Sequence, residues 1–186
     1  KSSGHEFEEM IKELATLAMG DLPVEFVLQR DLNTLIKAGE IANEPRDISW
    51  LKEQIKGNIF DLFVITTYQG KKFCFGCVQC KTSIRDRVTR DREPSIHAME
   101  SYFWSVVFVL DGDFLKNPKF QYMVNGGSKE FPTNGWHGLY DVSASFNLGR
   151  IYPLDLNFDL LRQHSEKAVN HWLKQRQWFN HEWKAD

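Results

Sequence analysis

Two apolar segments joined by a short polar connection constrain the fold of this chain most strongly. The segments read IFDLFVITTY and KFCFGCVQCK, and the connection is Gln69-Gly70-Lys71. Both segments are rich in β-branched and aromatic residues, and a three-residue connection that contains glycine is typical of a hairpin loop. The sequence therefore predicts a β-hairpin around which the other elements pack.

Helices are predicted on both sides of this hairpin. The first helix is indicated by apolar residues at helical spacing that end near Gly20, namely Phe7, Met10, Ile11, Leu14 and Leu17. Further helices are predicted over residues 26–41, over ISWLKEQIKG and over residues 93–103. A last long helix is marked by Leu161, Ala168, Trp172 and Phe179.

Two more strands are predicted after the hairpin, over SVVFVL (residues 105–110) and FQYMVN (residues 120–125), before a glycine-rich loop. Neither repeats nor low-complexity linkers divide the sequence. We therefore predict one domain over residues 1–186, of the α/β (α+β) class, in which helices flank a central mixed β-sheet.

Polar residues stand at the open end of the predicted hairpin. With a three-residue loop, Tyr68 pairs with Lys72, and the register places Asp61 opposite Gln79. Directly paired side chains lie about 5 Å apart at Cβ. Strand alternation puts Phe73, Phe75, Cys77, Gln79 and Lys81 on one face. Core packing does not require a carboxylate, an amide and an ammonium at one end of that face, so Asp61, Gln79 and Lys81 are predicted to be catalytic.

This group of residues suits the hydrolysis of phosphodiesters. A hard cation such as Mg²⁺, with Mn²⁺ as a substitute, prefers oxygen ligands, which Asp61, the side chain of Gln79 and the main-chain carbonyl of Cys80 would supply. Lys81 would orient the attacking water or stabilise charge that develops at phosphorus.

The pattern FD followed 18 residues later by QCK resembles the signature of the PD-(D/E)XK nuclease superfamily, with Gln79 in the place of the usual acid. The resemblance implies a restriction-endonuclease-like core over roughly residues 4–125. The segment GHEFEEM resembles the first-helix pattern of the superfamily, which implies that Glu8 approaches the metal. Glu53 and Glu40 remain alternatives as a supplementary acid. An amide brings no charge, so Gln79→Glu is expected to preserve or strengthen metal binding.

The run VQCKTSIRDRV is similar to the small subunit of heterodimeric type IIS restriction endonucleases. That resemblance implies cleavage of one strand of double-stranded DNA, with a large nicking subunit that recognises the sequence. The charge distribution agrees, because the net charge is -2 and residues 1–61 hold 7 Lys and Arg against 12 Asp and Glu. A chain with so little positive charge is expected to hold DNA poorly alone.

A basic segment follows Lys81. Arg85, Arg87, Arg90 and Arg92 are predicted to contact phosphates that flank the scissile bond, because arginine forms bidentate, charge-assisted hydrogen bonds. The alternative is a solvated loop in which these arginines pair with Asp86 and Asp91.

Other patterns limit the class of protein. Cys74, Cys77 and Cys80 alternate along a strand, so their sulfurs do not converge on one metal, and we interpret them as buried thiols. No run approaches the ~18 apolar residues that span a bilayer, so we predict a cytoplasmic protein without a membrane partner. Two rival functions are a repair, recombination or transposon-associated nuclease with the same core and a catalytically inactive protein-interaction module.

Overall fold

Six strands form one mixed β-sheet in the computed structural model, which describes residues 3–43, 48–82, 88–175 and 179–186. The strands lie in chain order and are β1 (Glu25–Leu28), β2 (Leu62–Tyr68), β3 (Lys71–Lys81), β4 (Trp104–Val109), β5 (Gly138–Asp141) and β6 (Ile151–Pro153). The first three strands pair antiparallel, and β3 to β6 pair parallel. The predicted fold class is confirmed.

Helices cover both faces of the sheet. They are α1 (Ser3–Met19), α2 (Gln29–Lys37), α3 (Ser49–Lys56), α4 (Val88–Glu100), α5 (Pro118–Asn125) and α6 (Asp159–Gln175), with a 3₁₀ turn at Asp113–Lys116. Apolar residues of α1 and α6 pack on one face, where Ile11 and Leu161 share a core with Val78. On the other face, α2, α3 and α4 cover β2 and β3, and α5 covers β4 and β5. Among the described residues, no helix is both long and apolar enough to cross a bilayer.

The hairpin turn is one residue shorter than the sequence predicts. Tyr68 pairs with Lys71, which leaves only Gln69 and Gly70 in the turn, with φ angles of 51° and 79°. Positive φ at both positions matches the twist of a two-residue hairpin. The predicted pairing of Tyr68 with Lys72 is therefore wrong.

A β-bulge in β3 restores the register further along the hairpin. Ile65 pairs with Cys74, whereas Val64 pairs with Gly76, so β3 contains one extra residue at this point. A Cβ atom on Gly76 would lie 2.8 Å from Val64 Cγ2, which explains why glycine occupies the bulge. Leu62 pairs with Val78 as predicted, and this register continues towards Asp61 and Gln79.

The bulge also changes which side chains share a face. Phe73 and Phe75 pack with α1 and α6, whereas Cys77 packs with α2 and α3. The prediction that Phe73, Phe75 and Cys77 share one face is therefore wrong, because the extra residue reverses the alternation between them.

Three other predicted elements differ from the structure. Residues 120–125 belong to helix α5, since Pro118 occupies its first turn and the Asn117 side chain accepts a hydrogen bond from the Lys119 amide at 3.0 Å. Residues 26–28 form most of β1, and α2 begins only at Gln29. The aromatic ring of Phe179 is buried beyond the end of α6 rather than on it.

Candidate active site

Asp61 lies just before β2 and is held by the end of β3. Its Oδ2 accepts a hydrogen bond from the Cys80 amide at 2.7 Å, and its own amide donates to the Val78 carbonyl at 3.0 Å. The amide and the carbonyl of one strand residue point to the same side of the strand. The Cys80 carbonyl therefore also faces the Asp61 side of β3.

Glu8 approaches Asp61 from α1. Phe7 and Ile11 bury one face of this helix, which places the intervening Glu8 at the edge of the packed surface. Burial raises the pKa of Glu8, and a hydrogen bond from the side chain of one carboxyl to the other, together with the negative charge of Asp61, raises it further. His5 has the opposite effect on this pKa, and its Nδ1 lies 3.1 Å from Glu8 Oε1.

The two carboxylates share a cavity of about 450 Å³. Glu8, His5 and Gly4 line it from α1, and the start of α2 lines the opposite side, where Arg30 adds a positive charge. The remaining lining residues are Leu28, Gln29, Asn58, Phe60, Asp61 and Cys80. The structure thus brings together three of the residues expected at the metal: Glu8, Asp61 and Cys80.

The metal ligands that Glu8, Asp61 and the main chain of Cys80 offer are oxygens. Burial holds the pKa of the Cys80 thiol well above its ordinary value, and the charges of Asp61 and Glu8 add to this effect. This environment disfavours the thiolate form of Cys80, and the Cys80 carbonyl is the oxygen ligand that it offers on the Asp61 side. Within the described part of the chain, no set of three or more His, Cys, Asp or Glu side chains is arranged around a common metal position. Two carboxylates and a carbonyl fit a hard, partly hydrated cation such as Mg²⁺.

Lys81 lies next along β3 and pairs with a residue that the strand pattern does not reveal. Its Nζ is 3.5 Å from Asp91 Oδ1. The side chains of Lys81 and Asp91 are 32% and 20% exposed. Asp91 belongs to α4. The sequence indicated Asp91 only as a possible partner for the arginines that follow Lys81. Its position beside Lys81 depends on the way α4 packs, so spacing along β3 contains no signal for it.

Gln79 is not brought to the cavity. Its side chain is buried, its Nε2 donates to the Asp91 carbonyl at 2.9 Å, and its Oε1 accepts from Trp136 Nε1 at 2.7 Å. Both ends of the amide are therefore occupied by protein groups. In this arrangement Gln79 connects β3 to α4 instead of facing Asp61.

The remaining candidates lie elsewhere. Arg85 and Arg87 lie outside the described residues, and Arg90 is exposed on α4, where it lines a separate surface cavity with Trp50 and His97. Glu40 lines a third cavity beside the hairpin turn, and Glu53 is exposed on α3. Of the three candidate supplementary acids, only Glu8 lines the cavity that contains Asp61.

Comparisons with known proteins place this chain in a family. A family model described as BsaWI restriction endonuclease type 2 matches residues 43–178. The crystal structure of BsaWI in a pre-specific complex with DNA is 57% identical to the chain, with a TM-score of 0.94 over 99% of this chain and 68% of that one. The AgeI restriction endonuclease, crystallised in a specific complex with DNA, is similar in fold, with 16% identity and a TM-score of 0.56 over 86% of this chain and 66% of that one. Comparison with curated proteins gives no match. The chain therefore belongs to the BsaWI family of restriction endonucleases, which are nucleases of the PD-(D/E)XK-like fold.

Proposed function

We propose that this chain supplies the catalytic site of a metal-dependent DNA endonuclease in which Asp61, Glu8 and Lys81 act together. The observation that supports the proposal most strongly is the pair of carboxyl groups in one cavity, with Asp61 fixed by the Cys80 amide. Burial and the neighbouring Asp61 carboxylate both raise the pKa of Glu8, so the doubly charged pair is unfavourable by itself. A divalent cation would remove that cost.

The proposed metal ligands are the carboxylates of Asp61 and Glu8 and the carbonyl of Cys80. Gln79 would join them only if its amide left both of its present partners, so we propose no direct role for it at the metal. When bound, the cation supplies Lewis-acid activation of water and neutralises charge on the phosphate. The contact between His5 Nδ1 and Glu8 Oε1 orients Glu8. The other ring nitrogen of His5, Nε2, lies 3.3 Å from Glu9 Oε1.

Lys81 is proposed to act on the phosphate. In phosphodiester hydrolysis a water oxygen forms a bond to phosphorus, the bond from phosphorus to the leaving sugar oxygen breaks, and negative charge grows on the phosphoryl oxygens. A positioned ammonium stabilises that charge. Asp91 holds the Lys81 ammonium at the end of β3, with its Oδ1 3.5 Å from Lys81 Nζ.

Double-stranded DNA is the proposed substrate, since both similar structures are complexes with DNA. Arg90 is proposed to contact backbone phosphates, and the same proposal extends to Arg85 and Arg87. Arg30 is a further candidate because this residue lines the cavity that contains Asp61 and Glu8.

A finer proposal concerns the source of sequence recognition. The net charge of -2 supports an arrangement in which this chain cuts one strand as the small subunit of a type IIS enzyme and a large subunit recognises the DNA. The other arrangement is a type II enzyme whose recognition elements belong to the same polypeptide. The match to a family model described as a type 2 restriction endonuclease supports a type II enzyme.

Cleavage of a duplex labelled on each strand separately tests these proposals. The protein is incubated with Mg²⁺, with Mn²⁺ or with a chelator, both alone and with the product of a neighbouring gene. Metal-dependent cleavage supports the endonuclease, and absence of cleavage under every condition would contradict it. Cleavage of one strand only when the partner is present supports the heterodimer, whereas cleavage of both strands by the protein alone excludes it.

A further inference from the structure

A hydrogen-bonded connection runs through the core from the loop before β5 to Lys81. Trp136 is fully buried there and donates its indole N–H to Gln79 Oε1 at 2.7 Å. Gln79 Nε2 donates to the Asp91 carbonyl at 2.9 Å, and the Asp91 carboxylate lies 3.5 Å from Lys81 Nζ. The loop before β5 and helix α4 are thereby both attached to the end of β3.

Asp91 is attached to β3 at two points. Gln79 binds its main chain and Lys81 binds its side chain, and these two residues lie two positions apart on one face of the strand, a rise of about 6.6 Å. Fixing the main chain of Asp91 limits where its carboxylate can lie. A lysine side chain has several rotatable bonds, so a fixed partner is needed to hold its ammonium in one place.

The neighbouring residue on α4 adds a second anchor. Arg92 Nε donates to the Met123 carbonyl at 3.0 Å, and Arg92 Nη2 donates to the Thr133 carbonyl at 2.6 Å. These contacts tie α4 to the end of α5 and to the loop that leads to Trp136. They hold the helix on the core, whereas the Gln79 contact sets its position relative to the catalytic end of β3.

We propose that Gln79 and Trp136 are positioning residues, which fix α4 so that Asp91 holds Lys81 in the orientation needed for catalysis; this inference rests on the proposed function. Neither residue touches the substrate. Their buried polar groups satisfy each other, so removal of one leaves the other without its partner and loosens the position of Asp91.

The variants for the test are Gln79→Met, which keeps the length of the side chain and removes both hydrogen bonds, and Trp136→Phe, which removes the indole N–H. Trp172→Phe is the matched control, because Trp172 is also buried but packs on Phe73 on the opposite face of the sheet. Each variant is compared well below its unfolding temperature. Single-turnover cleavage at saturating DNA should fall roughly tenfold in the first two variants, with an unchanged KM, and should not change in the control.

A double-mutant cycle separates positioning from a general structural effect. If Gln79 acts through Asp91, adding Gln79→Met to Asp91→Ala should lower the cleavage rate no further. The Trp136 indole N–H, assigned in NMR spectra by its loss in Trp136→Phe, should exchange slowly with solvent in the unaltered protein and faster in Gln79→Met. If Gln79→Met does not fold, the same cycle is run with Trp136→Phe.

Multiplicative losses of rate in the double variant would overturn the inference and leave the proposed function standing. So would a Gln79→Met protein that cleaves at the normal rate while its indole N–H exchanges freely. An unaltered protein that never cleaves DNA would instead overturn the proposed function, and this inference with it.

Discussion

The Cys80 amide donates a hydrogen bond to Asp61 Oδ2 at 2.7 Å, which joins the start of β2 to the end of β3 through a side chain. The pairing of β2 with β3 extends from Tyr68 to Leu62. The bond to Asp61 therefore joins the two strands one residue beyond the last strand pair. It fixes the orientation of the Asp61 carboxylate directly beside the residue that precedes Lys81. The geometry of the site thus follows from the end of the hairpin.

Glu8→Gln should weaken the binding of Mg²⁺ and Mn²⁺ while the protein remains folded. The amide removes one of the two negative charges in the cavity, and the expected loss of affinity is roughly tenfold or more. Calorimetric titration with Mn²⁺ measures it. Glu9→Gln is the matched control, because Glu9 also contacts His5 but does not line the cavity.

The same titration has a predicted pH dependence. The pKa of Glu8 is raised above its ordinary value of 4.5, so a cation must displace a proton from Glu8 as the pH falls through the raised pKa. Affinity should therefore decrease with decreasing pH in the unaltered protein, and this decrease should be smaller in Glu8→Gln. Equal pH dependence in the two proteins would contradict the assignment of Glu8 as a ligand.

The substitution Gln79→Glu distinguishes two roles for Gln79. The sequence predicts a metal ligand, whereas the structure shows a buried link between β3 and α4. The sequence motif predicts that this substitution, which restores the usual acid, preserves or strengthens metal binding. In the structure a glutamate at this position would keep the bond from Trp136 but would place a buried negative charge against the Asp91 carbonyl. We therefore predict lower stability and slower cleavage without tighter metal binding. Tighter Mn²⁺ binding together with normal stability would support a direct role for Gln79 at the metal.

Lys81→Ala should lower the cleavage rate by about 100-fold or more with little effect on stability. The Lys81 side chain is partly exposed, so its removal leaves no core cavity. Lys116→Ala is the control, because Lys116 also forms an ion pair with an aspartate, Asp113, but on the surface. Quenched-flow cleavage assays and thermal unfolding separate the two effects. A folded Lys81→Ala protein with a normal rate would show that the catalytic lysine lies elsewhere.

His137 should make the protein less stable at acidic pH. Its ring is buried, Nδ1 accepts from the Ser105 amide, and Nε2 lies 2.9 Å from the Asn180 carbonyl, so burial lowers its pKa from 6.5 to about 3. Between these values the unfolded chain binds the proton and the folded protein does not. The contribution of neutral His137 to the free energy of unfolding is fully present above pH 6.5. It decreases as the pH falls below 6.5, by up to about 1.4 kcal/mol per pH unit.

Urea unfolding at several pH values measures this slope. His137→Gln should reduce the slope between pH 4 and 6.5, although it also lowers stability overall. A slope that is the same in the His137 variant and in the unaltered protein would show that His137 does not titrate in this way.

The sequence was sufficient to predict the hairpin and the position of Asp61 and Lys81 at its open end. The role of Gln79 could not be predicted, because its burial depends on Trp136, which is 57 residues away. Asp91 likewise reaches Lys81 only through the packing of α4. These are tertiary contacts between elements, and local spacing does not encode them.

Some of the missed features did leave local signals. Gly76 within an otherwise apolar strand is typical of a bulge, and the bulge explains both the shorter turn and the reversed faces. Asn117 followed by Pro118 is a helix start, which the apolar residues of FQYMVN obscured. A strand preference and a helix cap compete in that segment, and the cap prevails.

The most direct test of the central claim is DNA cleavage by Asp61→Asn. Asparagine can still accept the hydrogen bond from the Cys80 amide, so the fold at the end of the hairpin should be kept while the negative charge is lost. We predict an unfolding temperature close to that of the unaltered protein, weaker Mn²⁺ binding and a cleavage rate lower by about 100-fold or more. Asp113→Asn, at an exposed position, should cleave normally. A folded Asp61→Asn protein that cuts DNA at a near-normal rate would contradict the account.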